Sequence, residues 1–177
     1  DNRDFGRGCV EDPSVRVQFI SGASPVGQVY RKQIEAFDKL FFAGPGGMPA
    51  AVVFADADPE LASRFIATRA FINGGQYCTT IKKALIHKDL FSTVRELVLA
   101  QVGRLKIGDP LDPATDIGPI KVERTRLIVQ NALKKMPEAR IIAGRIDGEW
   151  VYPLLLESEN RPIPDLELFG PCLVLQP

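Results

Sequence analysis

Residues 15–27 read VRVQFISGASPVG and decide the fold class of the chain. Residues 15–20 alternate between apolar and polar side chains and are rich in β-formers, so they are predicted to form a strand. Glycine and serine then turn the chain, with Ser24 expected as the N-cap of a helix and Pro25 as its first residue. The stretch therefore predicts a strand that passes through a glycine turn into a helix.

The chain after this helix supplies further strands. Residues 40–43 and 51–55 are apolar runs typical of strands, and the glycines and proline of residues 44–47 separate them. A strand, a helix and a strand at this spacing indicate a βαβ unit with parallel strands. We therefore predict an α/β fold that begins with a partial Rossmann-like βαβ segment.

Helices and strands continue to alternate in the remainder of the chain. Asp58 and Pro59 are expected to open a helix whose inward residues are Leu61, Phe65 and Ile66. Hydrophobic periodicity predicts two more helices, at residues 89–103 and 121–136. Further strands are predicted at residues 84–86, 139–143, 151–156 and in the apolar end of the chain after Pro171.

Residues 71–78 read FINGGQYC and contain the most informative cysteine. Two adjacent glycines allow a tight turn just before Cys78, and exposed backbone N–H groups in such a turn favour a thiolate. This pattern is typical of a nucleophilic cysteine that projects into a cleft. The same residues also allow a small buried thiol that packs as a hydrophobe.

Composition argues against several classes of function. Lys+Arg and Asp+Glu number 22 each in 177 residues, so the charge predicts no binding to nucleic acid or acidic lipid. No apolar run approaches the roughly 20 residues that span a bilayer. The cysteines Cys9, Cys78 and Cys172 form no CxxC pair, so we expect no metal site and a reducing compartment, the cytoplasm.

Two other chemistries are open from the residues alone. A cysteine protease needs a histidine base, and the only histidine, His87, lies in a polar run where a solvated position at a helix entrance is expected. The glycines of residues 22–27 follow a strand and open a helix, so they can place a phosphate at a helix N-terminus. The same spacing also occurs in ordinary tight connections between a strand and a helix.

Four segments resemble motifs of the NAD(P)-dependent aldehyde dehydrogenases, in the family's order. Residues 19–27 resemble its cofactor loop, a phenylalanine followed by Gly-Ser-Thr-x-x-Gly, and residues 74–78 resemble its Gly-Gln-x-Cys. Residues 106–119 resemble the run after the family's catalytic cysteine, and residues 167–171 resemble its Glu-x-Phe-Gly-Pro. Together the four motifs span most of the chain, so the resemblance is specific.

This resemblance implies an enzyme and assigns roles to single residues. Cys78 is expected to attack a small aldehyde and to form a thiohemiacetal, which is then oxidised to an acid or an acyl thioester. The cofactor is expected to be NAD or NADP, held by Gly22, Gly27, Glu167 and Phe169.

The resemblance also implies a domain organisation. Residues 1–57 are expected to be the C-terminal part of the dinucleotide-binding domain, and residues 58–177 the catalytic domain, truncated at its C-terminus. The chain begins at Asp1 without methionine, which is consistent with this expectation. The full-length protein is expected to be a homo-oligomer.

Gly44 is the clearest departure from the family. Residues 43–47 read AGPGG and align with the family's Glu-Leu-Gly-Gly, so Gly44 occupies the position of the general base. Ala23 also replaces a usual serine. Without a base, three outcomes remain open: slow hydrolysis of the thioester, acyl transfer to a thiol such as coenzyme A, or no catalysis. The last would make the chain a structural or subunit-interaction module.

Overall fold

The computed structural model describes residues 2–159 and 167–177 and shows an α/β protein. Its chain forms two compact units, residues 1–46 and residues 47–177. Each unit contains parallel strands joined through helices, so the predicted fold class is confirmed.

The first unit is a βαβ motif preceded by a helix. Its elements are helix α1 (Asn2–Glu11), strand β1 (Val17–Gly22), helix α2 (Ser24–Ile34) and strand β2 (Leu40–Pro45). The two strands pair in parallel, with Val17 opposite Leu40 and Phe19 opposite Phe42. The predicted βαβ segment is therefore present.

Two details of this unit differ from the sequence-based expectation. No element was predicted before residue 15, but the start of the chain forms α1, because Val10 is buried and Gly6 packs closely against the Tyr30 side chain of α2. Ser24 is not the N-cap of α2. The helix already includes Ser24, and Ala23 takes the cap position without a side-chain hydrogen bond.

Over residues 47–159 and 167–177, the second unit has a five-stranded sheet and three α-helices. Its helices are α3 (Pro59–Phe71), α4 (Lys88–Val102) and α5 (Glu123–Lys134). Its strands are β3 (Ala50–Val53), β4 (Lys83–Ile86), β5 (Arg140–Ala143), β6 (Ile146–Asp147), β7 (Trp150–Val151), β8 (Leu154–Glu157) and β9 (Cys172–Gln176).

The strand order in the large sheet is β3-β4-β9-β8-β5, and only β5 pairs antiparallel to its neighbour. The remaining strands, β6 and β7, form a separate antiparallel pair that the sequence did not predict. The third predicted strand, β3, pairs with β4 and not with β2. The structure therefore begins its second unit before β3, whereas the domain division at residue 57 stays a prediction about the family's domains.

Two hydrophobic clusters cover the two faces of the large sheet. Leu155 and Leu173 belong to the cluster that includes residues of α3 and α4, whereas Leu154 and Val174 belong to the cluster that includes residues of α5. Successive side chains of a strand point to opposite faces, so the apolar runs Leu154–Leu156 of β8 and Cys172–Leu175 of β9 bury both faces. The centre of this sheet is therefore a packed core.

Helix α3 begins as predicted but buries a different face. The Asp58 carboxylate caps it by accepting hydrogen bonds from the N–H groups of Glu60 and Leu61. Leu61 and Phe65 were expected inside, yet they are 64% and 58% exposed. Small residues let α3 pack closely, so its buried face consists of Ser63, Ile66, Ala67, Ala70 and Phe71. Among the helices in the described ranges, none is long and apolar enough to cross a membrane.

Candidate active site

A left-handed turn presents the predicted nucleophile. After α3 the chain forms a short 3-10 turn over Ile72–Gly75, in which Asn73, Gly74 and Gly75 have φ values of 52°, 59° and 68°. Glycine adopts this conformation without strain, and asparagine tolerates it better than most other residues. The two adjacent glycines are therefore required by the backbone of the turn.

Hydrogen bonds fix the chain on both sides of Cys78. The Gln76 N–H donates to the Asn73 carbonyl oxygen at 3.2 Å. Beyond the cysteine, the Thr80 hydroxyl donates to the Tyr77 carbonyl at 2.8 Å and to the Gly75 carbonyl at 3.3 Å. The backbone around the thiol is thus held in place, while Cys78 itself is exposed.

The other two cysteines differ from Cys78 in their surroundings. Cys172 is completely buried in β9, and this burial raises the pKa of its thiol to about 12, an effect that the nearby Lys82 only partly opposes. Cys9 is half-buried in α1. The buried-thiol alternative from the sequence therefore describes Cys172, and Cys78 is the accessible thiol of the second unit.

The loop with the predicted cofactor residues lies directly against the cysteine turn. A Cβ atom placed on Gly75 would come within 2.0 Å of the Gly170 carbonyl oxygen, so the two backbones touch at this point. Only glycine fits there. The structure thus brings Cys78 into the same unit and the same neighbourhood as residues 167–171, which the sequence separated by about ninety positions.

Two predicted cofactor residues of this loop have polar or aromatic groups facing inward. The Glu167 oxygen Oε1 is buried and has no hydrogen-bond partner within the part of the chain that the structure describes. Phe169 is half-buried, and its ring centroid lies 6.0 Å from the Lys82 ammonium nitrogen. A buried carboxylate oxygen without a donor is costly and fits a site that binds a hydroxyl group.

Lys82 is a residue of this site that the sequence analysis missed. Its side chain is fully buried and donates hydrogen bonds to the carbonyl oxygens of Gly75 and Gly170. Burial lowers the pKa of Lys82 to about 8, although Cys172 and Glu167 oppose this shift. The sequence did contain a signal for Lys82. It is a charged residue four positions after a candidate nucleophile, and it lies at the start of an apolar strand.

Gly44, which departs from the family's glutamate, lies in the first unit with room for a side chain. Gly44 lies in β2 opposite Ser21 of β1, and its φ is not positive. A Cβ on this residue would meet only the Phe19 ring at 3.5 Å and the Ile20 carbonyl at 4.0 Å, which are ordinary contacts. Side chains are therefore sterically allowed at this position.

Gly47, which belongs to the second unit, lies close to the predicted nucleophile. A Cβ on Gly47 would be 3.9 Å from the Cys78 carbonyl oxygen. Gly47 is the last residue of the AGPGG segment, and three positions separate it from Gly44 in the sequence.

The remaining predicted cofactor residues, Gly22 and Gly27, lie in the first unit. Gly22 ends β1, and nothing lies within 4 Å of a Cβ placed on it. Gly27 is buried in α2, where a Cβ would meet the Ala43 side chain of β2 at 3.5 Å. The first glycine therefore leaves open space at the strand end, and at the second a Cβ would make only an ordinary contact with the strand.

A cavity that the sequence did not predict opens between α1 and α2. Its volume is about 500 Å³, and its lining includes Arg7 of α1 together with Pro25, Val26, Val29 and Tyr30 of α2. The lining is largely apolar and begins at the N-terminal turn of α2. Such a cavity suits a flat, mostly apolar ring next to a polar group bound at the helix N-terminus.

His87 has a structural role. It is the N-cap residue of α4, and its Nδ1 accepts a hydrogen bond from the Asp89 N–H at 3.3 Å. The expectation of a position at a helix entrance is confirmed. In the described ranges, His, Cys, Asp and Glu side chains do not gather in a group of three or more that could hold a metal ion.

The fold and this site define an α/β protein that exposes a thiol on a left-handed turn. The turn packs against a loop in which one carboxylate oxygen has no hydrogen-bond partner among the residues that the structure describes. The sequence profile of the aldehyde dehydrogenase family matches residues 1–177. The chain therefore belongs to the aldehyde dehydrogenase family, and the resemblance based on four motifs is confirmed.

Individual relatives agree with this assignment. The chain is 30% identical to aldehyde dehydrogenase family 7 member A1 of Malus domestica over 96% of its own length and 35% of the relative. It is 29% identical to a succinate-semialdehyde dehydrogenase [NADP(+)] of Mycobacterium avium (strain 104), over 92% of the chain and 36% of the relative. Family members thus include an NADP-dependent enzyme.

Solved structures show the same architecture. An NAD-dependent aldehyde dehydrogenase from Sinorhizobium meliloti superposes with a TM-score of 0.86 and 27% identity, over 96% of this chain and 36% of that one. The HpcC protein from Thermus thermophilus gives a TM-score of 0.88 and 27% identity, over 97% of this chain and 36% of that one. The chain therefore spans about a third of the length of the relatives it matches.

Proposed function

We propose that the protein oxidises an aldehyde with NAD or NADP through a thiohemiacetal on Cys78. The observation that carries this proposal is the junction in the second unit, where an exposed thiol on a fixed turn adjoins the loop with the unpaired Glu167 oxygen. The family membership supports the same reaction.

Each unit, taken by itself, has features that suit part of a dinucleotide. The unpaired Glu167 oxygen is suited to accept a hydrogen bond from a ribose hydroxyl. The open space at Gly22 lets a pyrophosphate approach the N-terminus of α2, and the cavity beside Pro25 and Val29 is large enough for a purine ring. When bound, the nicotinamide ring of NAD(P)+ accepts a hydride.

Cys78 carries out the covalent chemistry in this proposal. Its sulfur adds to the aldehyde carbon, and the carbonyl oxygen becomes the alkoxide of a thiohemiacetal. Loss of hydride from that carbon leaves an acyl thioester on Cys78. Water then attacks the thioester, the carbon–sulfur bond breaks, and the acid leaves with the thiol restored.

The hydrolytic step is the one that this chain supports least. A general base contributes typically 10²–10⁴-fold to such a step. Gly44, at the family's base position, has no side chain to accept the proton from water. We therefore propose slow hydrolytic turnover, with acyl transfer to coenzyme A as the alternative, because a thiol brings its own nucleophile.

A non-catalytic role is the second candidate, and one observation favours it. On the β1–β2 pair, Val17, Phe19, Leu40 and Phe42 are each more than half exposed. A face of this kind suits a structural or subunit-interaction module of the family. We further propose that the full-length protein is a cytoplasmic homo-oligomer that does not bind nucleic acid.

NADH formation from a panel of aldehydes tests the proposal, measured on the product of the complete reading frame with and without coenzyme A. Slow turnover would give a burst of at most one NADH per Cys78, followed by a slow steady rate. A fast rate only with coenzyme A would favour acyl transfer. No burst under any condition, with cofactor shown to bind, would leave the non-catalytic module.

A further inference from the structure

Lys82 is a fully buried cation beside the nucleophile turn. No carboxylate oxygen within the described ranges lies within 4.0 Å of its ammonium nitrogen, so it forms no ion pair there. A buried charge without an ion-pair partner is costly unless other groups solvate it. The Lys82 ammonium group therefore depends on hydrogen bonds to other groups to compensate for its burial.

Each of these contacts belongs to one of two distant segments. The ammonium donates hydrogen bonds to the Gly75 carbonyl in the cysteine turn and to the Gly170 carbonyl, at 3.5 Å, in the loop that follows Glu167. The Phe169 ring of that loop adds a cation–π contact, with its centroid 6.0 Å from the nitrogen. One side chain thus connects the nucleophile segment to the predicted cofactor segment.

The close approach of Gly75 and Gly170 requires a hydrogen-bond donor between their carbonyl groups. Their backbones touch, and their two carbonyl oxygens converge on the same ammonium group. Two converging carbonyl dipoles repel each other unless a donor lies between them. Removing the ammonium while keeping the packing should therefore separate the segments.

We propose that Lys82 is a positioning residue that fixes the turn of Cys78 relative to the loop of Glu167 and Phe169. The inference rests on the proposed function, because hydride transfer depends on the distance between the thiohemiacetal carbon and the bound nicotinamide. Lys82 touches neither of these groups. It acts through the two backbone segments that carry them.

Hydrogen–deuterium exchange of the 177-residue chain tests this proposal without aldehyde or cofactor. Lys82→Met keeps most of the side-chain volume and removes the donor, whereas Lys82→Ala removes both. Lys83→Met is the matched control, since Lys83 is the adjacent lysine, in β4, and is only half-buried. Protected amides report both segments, including Gln76 and Ile81 on one side and Cys172 and Val174 on the other.

Lys82→Met should accelerate exchange at least tenfold in peptides covering residues 72–81 and 167–176. Lys82→Ala should do the same, and Lys83→Met should resemble the wild type. Peptides of α4, whose amides are bonded within their own helix, should not change, which separates local loosening from global destabilisation. The proposal would be overturned if Lys82→Met exchanged at the wild-type rate while Lys82→Ala exchanged faster. Lys82 would then only fill space.

The unmutated chain provides a second test if the variants do not fold. At low guanidinium concentration, the two segments should open together, with opening constants that agree within tenfold. Opening constants that differ by more than tenfold would overturn the proposal. Because neither test measures oxidation, a failure of the proposed function would leave these exchange results unaffected.

Discussion

The two units differ in how completely their strands are buried, and therefore in how firmly they hold their candidate site residues. The second unit has a five-stranded sheet with apolar clusters on both faces, and its candidate site residues lie on loops next to the largely buried strands β4 and β9. The first unit has two strands, and Phe19 and Leu40 on them are 67% and 63% exposed. An isolated pair of strands is marginally stable. The turn that carries Cys78 is therefore held against a packed core within the second unit, whereas the strands of the first unit keep large apolar side chains exposed.

Thiol reactivity should show the largest difference. At pH 8 a thiol with a pKa of about 12 is ionised in only about one molecule in ten thousand, so Cys172 should react at least a thousandfold more slowly with iodoacetamide than Cys78. Mass mapping of the labelled peptides checks this. In guanidinium, the cysteines should label at similar rates. Labelling of Cys172 before Cys78 in the folded chain would contradict the claim that Cys78 is the accessible thiol.

A pair of identical substitutions compares the cores of the two units. Leu155→Ala removes a fully buried side chain of β8 and should lower the free energy of unfolding by about 2–5 kcal/mol. Leu40→Ala, on exposed β2, should cost less than about 1 kcal/mol. Guanidinium unfolding followed by circular dichroism and by Trp150 fluorescence measures both. Equal losses would show that Leu40 is buried in solution and would remove the contrast.

Lys82 should give the second unit a distinctive pH dependence. Its pKa is lowered from 10.5 to about 8, so between these values the unfolded chain binds the extra proton. Raising the pH through this window should therefore increase the free energy of unfolding, by about 3 kcal/mol relative to Lys82→Met. Cys172, whose pKa is raised from 9.0 to about 12, gives the opposite slope above pH 9 in both proteins and cancels in the comparison.

Urea unfolding of both proteins at several pH values between about 7 and 10.5 measures this effect. Lys83→Met serves as the control and should follow the wild type. Parallel curves for the wild type and Lys82→Met would mean that the Lys82 charge is not buried.

Gly44→Glu should have the smallest effect on stability. Gly44 has no positive φ, and a Cβ there meets only the Phe19 ring and a backbone oxygen at ordinary distances. The substitution should change the free energy of unfolding by less than about 1 kcal/mol. If the missing base limits thioester hydrolysis, the same variant should raise the slow rate by about tenfold or more. A folded variant with an unchanged slow rate would mean that another group limits hydrolysis.

The sequence predicted the parts of the fold and site that depend on local pattern. The βαβ unit and the cap at Asp58 follow from periodicity and capping residues, whereas the order of the motifs follows from the resemblance to the family. The buried face of α3 did not follow, because Leu61 and Phe65 are apolar but the tight packing selects small residues. Lys82 was missed because its partners are the carbonyl groups of Gly75 and Gly170, which sequence reasoning cannot bring together.

The helix over residues 2–11 was missed for a related reason. Its stability depends on Val10 and on the contact between Gly6 and Tyr30, which lie on two different helices. Contacts between residues that are far apart in the sequence thus account for most of what the sequence alone did not predict.

The central claim is that Cys78 is the nucleophile, and an activated ester tests it without cofactor. Addition of 4-nitrophenyl acetate to the folded 177-residue chain should release one nitrophenolate per chain in a burst, followed by slow turnover as the acetyl thioester hydrolyses. Cys78→Ser should lose the burst, whereas Cys9→Ser should keep it. A chain that shows no burst, or a burst that survives in Cys78→Ser, would contradict the account.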